Sequence, residues 1–163
     1  MLILFVIVLI SCNQQTNDKN LPKSWDTSGK KVFIFDPKLF IWAVYNEQGY
    51  KIKTGSASGG KNYCPDLKKP CRTVIGTYQV FSRKGADCKS SQFPIKKGRE
   101  KNAGGAKMPY CMHFHNGYAI HGATKVTRQH VSHGCIHVSI QDAKWLNEKF
   151  VDEDTTVIVR PYA

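Results

Sequence analysis

The sequence lacks several features that would assign it to a large class of proteins. Its longest apolar run, residues 1–10, is about half of the roughly 20 residues that a membrane-spanning helix needs. It contains no internal repeat, which excludes a solenoid. It also has no C-x-x-C pair, the spacing that structural zinc sites use. About 130 residues remain after an N-terminal leader, which suits one domain with one hydrophobic core.

Acidic residues are also scarce. The chain has 12 Asp and Glu against 24 Lys and Arg, a net charge of +12. A basic surface predicts an anionic partner, although a merely soluble cationic surface explains the charge equally well. Because the basic residues are dispersed and no nucleic-acid-binding motif accompanies them, we expect no nucleic acid partner.

The leader has the pattern of a secretory signal rather than of a membrane span. Residues 1–10 have the length of a signal's apolar region, and they end in Leu9-Ile10-Ser11-Cys12, which resembles a lipobox. We therefore predict a lipoprotein signal at residues 1–12, a lipid anchor to the membrane on Cys12, and an exported protein of the cell envelope or periplasm. The alternative is that the run forms a buried first strand. The polar residues 13–30 that follow predict a flexible tether, with Trp25 as one residue that could dock on the domain at 31–163.

Two short motifs carry the chemistry. His121-Gly122 is followed, after a basic loop, by Ser132-His133-Gly134-Cys135. A thiol becomes a good nucleophile only as a thiolate, so it needs a base within hydrogen-bond reach, and His121 and His133 are both candidates. Gly134 permits a tight turn beside the sulfur, where backbone N–H groups could stabilise an oxyanion. A structural Cys135 is the alternative.

Four further cysteines remain once Cys12 is assigned to lipid and Cys135 to chemistry. An even number in an exported chain favours disulfides. Four cysteines allow three pairings. We favour Cys64–Cys71, which closes the short loop from Pro65 to Pro70, with Cys88–Cys111 as the second disulfide. The competing interpretation is a zinc site that uses these thiols with His113 or His115; we expect no metal.

The body of the chain is mainly β. Runs rich in β-branched and aromatic residues at 32–35, 39–45 and 50–54 predict an antiparallel meander. Further strands are predicted at 73–81, 112–115, 118–121, 136–138 and 155–160. One helix is predicted after Cys135: Ser139 and Asp142 form a capping pair. Its apolar face repeats at helical spacing and consists of Ile140, Ala143, Leu146 and Phe150.

The two motifs together resemble the signature of the L,D-transpeptidases, the YkuD-type catalytic domain of bacterial cell-wall enzymes. The resemblance extends to Gly104–Tyr110 in the lead-in segment and to Arg72-Thr73 and Gly76-Thr77-Tyr78 upstream, and so covers about residues 31–163. It implies a β-sandwich-like fold with one principal α-helix, no cofactor, and a monomer that acts on peptidoglycan stem peptides. The implied reaction is cysteine acyl transfer on stem tetrapeptides to form crosslinks. Alternatives are an L,D-carboxypeptidase, a hydrolytic member that releases wall proteins, and a non-catalytic peptidoglycan-binding lipoprotein.

The resemblance also implies roles for individual residues. In that interpretation Cys135 is the nucleophile, His121 is the base, and the Gly122 carbonyl orients the His121 ring. His133 shapes the cleft or tunes the thiolate electrostatically, and the backbone N–H groups of Gly134 and Cys135 stabilise the oxyanion. The candidates for substrate binding are Ser132, His137, Arg128 and Tyr110, with Arg72 as a further candidate for gripping carboxylates. The family usually carries an arginine where this chain has His137.

Overall fold

The computed structural model describes residues 20–94 and 104–162. Within these ranges no helix reaches the length and apolarity that crossing a membrane requires. The predicted signal and Cys12 lie outside the described residues. The strands, in chain order, are β1 (Val32–Asp36), β2 (Ile41–Tyr45), β3 (Lys51–Ser56), β4 (Gly59–Gly60), β5 (Gly76–Gln79), β6 (Ser82–Arg83), β7 (Met112–His115), β8 (Tyr118–Ala123), β9 (His130–Ser132), β10 (Ile136–Ser139) and β11 (Thr156–Val159).

The strands form three sheets. One has five strands in the order β3-β2-β1-β11-β5, one has four in the order β10-β8-β7-β6, and β4 pairs with β9. The predicted meander is confirmed, because β1, β2 and β3 pair antiparallel. Three pairings are parallel and join distant parts of the chain: β1 with β11, β8 with β10, and β4 with β9.

The main core lies between the five-stranded and the four-stranded sheets. Alternate residues of β1, such as Phe33 and Phe35, face alternate residues of the other sheet, such as Ile120 and Ile136. All four of these side chains are fully buried. The mainly β, sandwich-like architecture with a single principal helix is therefore confirmed.

The outer face of the five-stranded sheet is covered by residues that we predicted to be part of a free tether. Leu21 is 2% exposed and packs with Val32 and Ile34, while Trp25 packs against Tyr45 with a ring-centroid separation of 6.1 Å. The Trp25 N–H also donates to the Gly49 carbonyl at 3.0 Å. The described part of that segment, from residue 20 onward, is therefore docked on the domain, because it shields the second apolar face of β1 from water.

The predicted helix is present and begins where the cap predicts. Helix α1 (Ile140–Trp145) has Ser139 as its N-cap, whose Oγ accepts from the Asp142 N–H at 3.0 Å. It continues as a π-helical turn, Leu146–Phe150. Ala143, Leu146 and Phe150 enter the main core as predicted, whereas Ile140 is 39% exposed.

Both favoured disulfides are present. Cys64 joins Cys71 and Cys88 joins Cys111, with Cα–Cα distances of 5.9 and 6.1 Å. The competing zinc interpretation is wrong, because a sulfur in a disulfide cannot ligate a metal as a thiolate. Among the described residues Cys135 is the one free cysteine.

Candidate active site

The parallel pairing of β8 and β10 brings the two motifs together. Its register sets Ile136 beside Ile120 and His137 beside His121. Cys135, immediately before β10, thus lies beside Ala119, two residues from His121 along β8. Matched residues of parallel strands share a face, so Cys135 and His121 project to the same side, opposite the core face of Ile120 and Ile136. A diagonal pair of this kind has Cα atoms about 8 Å apart, within reach of an imidazole.

The turn before Cys135 needs glycine. Gly134 has φ +121, and a Cβ there would lie 2.3 Å from a ring carbon of Tyr118. A side chain would therefore meet both backbone strain and a clash. This close packing holds the turn against the Tyr118 ring, and Cys135 follows it directly.

Ser132 fastens the turn rather than contacting a substrate. It is 4% exposed, its Oγ donates to the Cys135 carbonyl at 2.6 Å, and it accepts from the Gly134 N–H at 3.0 Å. Two predictions are corrected as a result. Ser132 is a structural clamp, and the Gly134 N–H is already used and is not free to stabilise an oxyanion. The Cys135 N–H has no acceptor among the described residues.

His121 is held as a neutral imidazole with a defined tautomer. Its Nδ1 lies 2.9 Å from the Gly122 carbonyl, which can only accept, so Nδ1 carries the proton. Burial lowers the pKa of His121, the Gly122 hydrogen bond opposes this, and His113 lowers it further. In neutral His121 the Nε2 atom is therefore an unprotonated acceptor. The orienting contact predicted for Gly122 is present.

Cys135 is half-buried and is a thiol at neutral pH. Its Sγ donates to the Gly117 carbonyl at 3.9 Å. Burial raises the pKa of the thiol to about 11, and a hydrogen bond with the Ala119 backbone lowers it by less. For this sulfur to act as a nucleophile, a base would have to remove its proton.

His137 lies against His121 and not at an open surface. The two ring centroids are 4.6 Å apart at an interplanar angle of 61°. Its backbone is fixed by two hydrogen bonds of 2.9 Å with Ser58. Burial, reinforced by His121, lowers the pKa of His137 to about 4. His137 would therefore meet a carboxylate as a neutral N–H donor rather than as a cation, and its role in substrate binding stays a prediction.

His133 points to a neighbouring loop. Its Nε2 lies 2.8 Å from Asp66 Oδ2, and its ring lies 4.5 Å from that of Phe93. Asp66 belongs to the loop closed by Cys64–Cys71. His133 thus joins this loop to the segment that contains Phe93. This arrangement favours His121 over His133 as the base, because Nε2 of His133 is paired with Asp66.

The other two predicted substrate-binding residues are engaged elsewhere. The guanidinium of Arg128 donates from Nη2 to the Leu39 carbonyl at 3.0 Å. Tyr110 is partly buried against the main core. Arg128 therefore anchors the loop after β8, and Tyr110 contributes to packing.

The described residues hold one cluster with the spacing of metal ligands: Cys64, Asp66 and His133. Cys64 is in a disulfide, and the carboxylate of Asp66 is paired with His133. The cluster therefore does not fit a metal ion.

Sequence reasoning missed Asp66, Ser58 and Gly60 as parts of the site. Ser58 Oγ accepts from the Thr127 and Arg128 N–H groups at 3.1 Å each, which fixes the loop after β8. Nothing local distinguishes these residues in the sequence, because their contacts come from chain segments about 70 residues away.

A half-buried thiol and a buried neutral imidazole on one rigid sheet face are the components of a cysteine acyl-transfer site. The model of the L,D-transpeptidase catalytic domain matches residues 29–159, most of the chain. The chain belongs to this family. Among curated proteins, none matches it significantly in sequence.

Solved structures of similar fold are L,D-transpeptidases. One from Xylanimonas cellulosilytica is 22% identical with a TM-score of 0.68, over 83% of this chain and 63% of that chain. One from Stackebrandtia nassauensis is 23% identical with a TM-score of 0.61, over 85% and 60%. L,D-transpeptidase 3 from Mycobacterium tuberculosis, in complex with a faropenem-derived adduct, is 23% identical with a TM-score of 0.62, over 80% and 60%. The chain thus spans about three fifths of the length of these structures, and at such identities the likeness concerns the fold.

Proposed function

We propose that this protein is a cysteine-dependent L,D-transpeptidase that crosslinks peptidoglycan stem peptides through an acyl-enzyme on Cys135. The observation that carries the proposal is the placement of Cys135 and neutral His121 on one sheet face, with Nδ1 of His121 committed to the Gly122 carbonyl. Membership of the L,D-transpeptidase family supports the choice of substrate.

In the first half-reaction Cys135 attacks the carbonyl of the third, L-configured centre of a stem tetrapeptide. The S–C bond forms while the thiol proton passes to His121 Nε2. The tetrahedral intermediate then expels the terminal D-residue, and His121 returns the proton to the departing amine. Because burial disfavours both a free thiolate and a lasting imidazolium, proton transfer accompanies the attack.

In the second half-reaction an amine of another stem attacks the thioester. His121 Nε2 takes a proton from that amine, the C–S bond breaks, and the sulfur recovers its proton from His121. If water takes the place of the amine, the product is a shortened stem and the enzyme is a carboxypeptidase.

The negative charge of each tetrahedral intermediate needs a donor. The Cys135 N–H serves this purpose, since Ser132 occupies the Gly134 N–H and fixes the turn through the Cys135 carbonyl. A donor of this kind contributes about 3 kcal/mol of transition-state stabilisation in acyl-transfer enzymes.

The test is product analysis with the full chain. Disaccharide-tetrapeptide is incubated with wild type and with Cys135→Ala, and the products are separated and sequenced. We expect a crosslinked dimer and the released terminal residue from the wild type alone. Shortened monomer without dimer would identify hydrolysis, and turnover by Cys135→Ala would overturn the mechanism.

We further propose that the protein is exported and anchored at the membrane through a lipid on Cys12. Two disulfides within the described residues support an oxidising compartment. Fractionation of cells with wild type and Cys12→Ala tests the anchor: the wild type should partition with membranes and the variant should not.

A further inference from the structure

A basic loop lies beside the catalytic turn. The loop, residues 61–72, is closed by the Cys64–Cys71 disulfide, and the residue before it, Gly60, pairs with Ser132. A Cβ on Gly60 would lie 2.1 Å from the Cys71 carbonyl oxygen and 2.8 Å from the Gly134 Cα. At one end of the basic loop the Lys61 N–H donates to the Ser132 carbonyl at 2.9 Å, and near the other end the Cys71 sulfur lies 3.9 Å from the same carbonyl, so both ends contact the segment that leads into Cys135.

The charge of this basic loop is almost entirely positive. It holds Lys61, Lys68, Lys69 and Arg72 against one acid, Asp66. The Asp66 carboxylate is paired with His133 at 2.8 Å, and among the described residues none of the four cations has a carboxylate within 4.0 Å. An uncompensated positive rim next to a nucleophile attracts acidic substrates.

Arg72 is the cation of this loop whose head group is held in place. Its Nε donates to Asn62 Oδ1 at 2.8 Å, and its guanidinium lies 4.8 Å from the centroid of the Tyr162 ring. Tyr162 is 7% exposed, so it forms a fixed base under an exposed guanidinium. The two Nη atoms have no acceptor among the described residues. A guanidinium that is oriented and offers a free edge is suited to a carboxylate.

The other candidate cations near the nucleophile do not meet this description. His137 is a neutral imidazole packed on His121. Arg128 already donates to the Leu39 carbonyl. Within the described residues the amines of Lys61, Lys68 and Lys69 have no carboxylate partner that would fix their position.

We infer that Arg72 binds a carboxylate of the donor stem peptide beside Cys135, and that the lysines of the basic loop draw acidic peptides toward it. The inference rests on the proposed function, because it assumes a peptide donor with free carboxylates. Arg72 acts in binding: its fixed head group orients the donor so that the scissile carbonyl meets the sulfur.

Binding is measured in the full-chain Cys135→Ala protein, which cannot turn the ligand over. The ligands are disaccharide-tetrapeptide, its analogues amidated at single carboxylates, and the fully amidated form. Adding Arg72→Met should weaken binding of the parent ligand roughly 10- to 100-fold, the usual effect of losing hydrogen bonds to a charged group. Arg72→Lys should restore part of it, and Lys149→Met, which removes an exposed cation from the helical turn after α1, should change nothing.

The amidated ligands identify the carboxylate. Amidating the group that Arg72 binds should weaken binding as much as Arg72→Met does, and the two changes together should cost no more than either alone. Equal binding of the parent and fully amidated ligands would overturn the inference, and this comparison needs no Arg72 variant to fold. The inference would also be overturned if Arg72→Met weakened binding of the parent and the fully amidated ligand equally, since that would indicate a packing effect through Tyr162.

These outcomes are separable from those of the proposed function. Carboxylate-dependent binding at Arg72 without turnover by the wild type would leave the inference standing and reject the transpeptidase. Turnover by the wild type, with binding that does not depend on Arg72, would support the transpeptidase and reject the inference about Arg72.

Discussion

The two faces of the four-stranded sheet share one backbone and differ in chemistry. One face carries apolar side chains such as Ile120 and Ile136, fully buried in the main core. The other carries Cys135, His121 and His137, which the same register brings side by side. The core face fixes the register and the register positions the site, so stability and chemistry are separated by a single residue step along the strand.

The largest effect should come from removing Cys135, the proposed nucleophile, from the face that also carries His121. Cys135→Ala should lower crosslinking activity by roughly 10⁴-fold or more, because no other group can form the thioester. The free energy of unfolding should change by less than about 1 kcal/mol, as only a small half-buried side chain is shortened. Product chromatography and urea unfolding measure the two quantities; a large loss of stability would place Cys135 among the core residues.

The adjacent residues Ile120 and His121 sharpen the comparison. His121→Gln should lower activity roughly 10²- to 10⁴-fold with little loss of stability, since it removes the base. Ile120→Ala should cost about 2–5 kcal/mol of unfolding free energy through the cavity it leaves, while the folded fraction stays active. If both substitutions mainly lowered activity, or both mainly lowered the free energy of unfolding, the separation of the two faces would be contradicted.

The pH dependence of stability should report the buried histidine pair. His137 has a pKa of about 4 in the folded chain, lowered by burial and then by His121, against an ordinary value near 6.5. As the pH falls from about 6.5 to 4, the unfolded chain takes up a proton at His137 that the folded chain refuses, so stability falls by at most about 3 kcal/mol. Above pH 6.5 His137 is neutral in both the folded and the unfolded chain, so this loss of stability is absent there.

His137→Gln removes this linkage. Its free energy of unfolding should therefore fall less than that of the wild type between pH 7 and pH 4, which denaturant titrations at a series of pH values measure. Parallel pH curves for the two proteins would show that His137 is not buried as a neutral imidazole.

The smallest effect should come from the hydrogen bonds of Ser132 within the turn before Cys135. Ser132→Ala removes the acceptor for the Gly134 N–H and the donor to the Cys135 carbonyl, and should cost about 1–3 kcal/mol of unfolding free energy. Activity should also drop, because the Cys135 N–H loses its fixed direction. Unchanged kcat with reduced stability would show that the turn keeps its geometry without the clamp.

Local patterns predicted much of this molecule. The meander, the Ser139 cap, the apolar helical face and both disulfides follow from contacts that are near in sequence or from simple chemistry. The pairing of β8 with β10 and of β1 with β11 joins distant segments, and propensity carries no information about such partners. The pairing of His137 with His121 was therefore out of reach, and so was its neutral state.

Polar side chains were the least predictable part of the site. Ser132 and Arg128 were expected at the substrate because their residue types suit it, but their partners are backbone groups of the protein itself. Residues 20–30 were predicted to belong to a flexible tether because they are polar on average, with Trp25 as the one candidate for docking, yet Leu21 packs on the domain as well. In both cases a few specific contacts outweigh average composition.

The central claim, that Cys135 forms an acyl-enzyme, is tested most directly by intact-mass spectrometry of the full chain mixed with disaccharide-tetrapeptide. We predict a wild-type adduct equal in mass to the donor without its terminal residue, mapped by peptide sequencing to Cys135 and absent from Cys135→Ala. An adduct on another residue, or product formation without any cysteine adduct in rapidly quenched samples, would contradict the account.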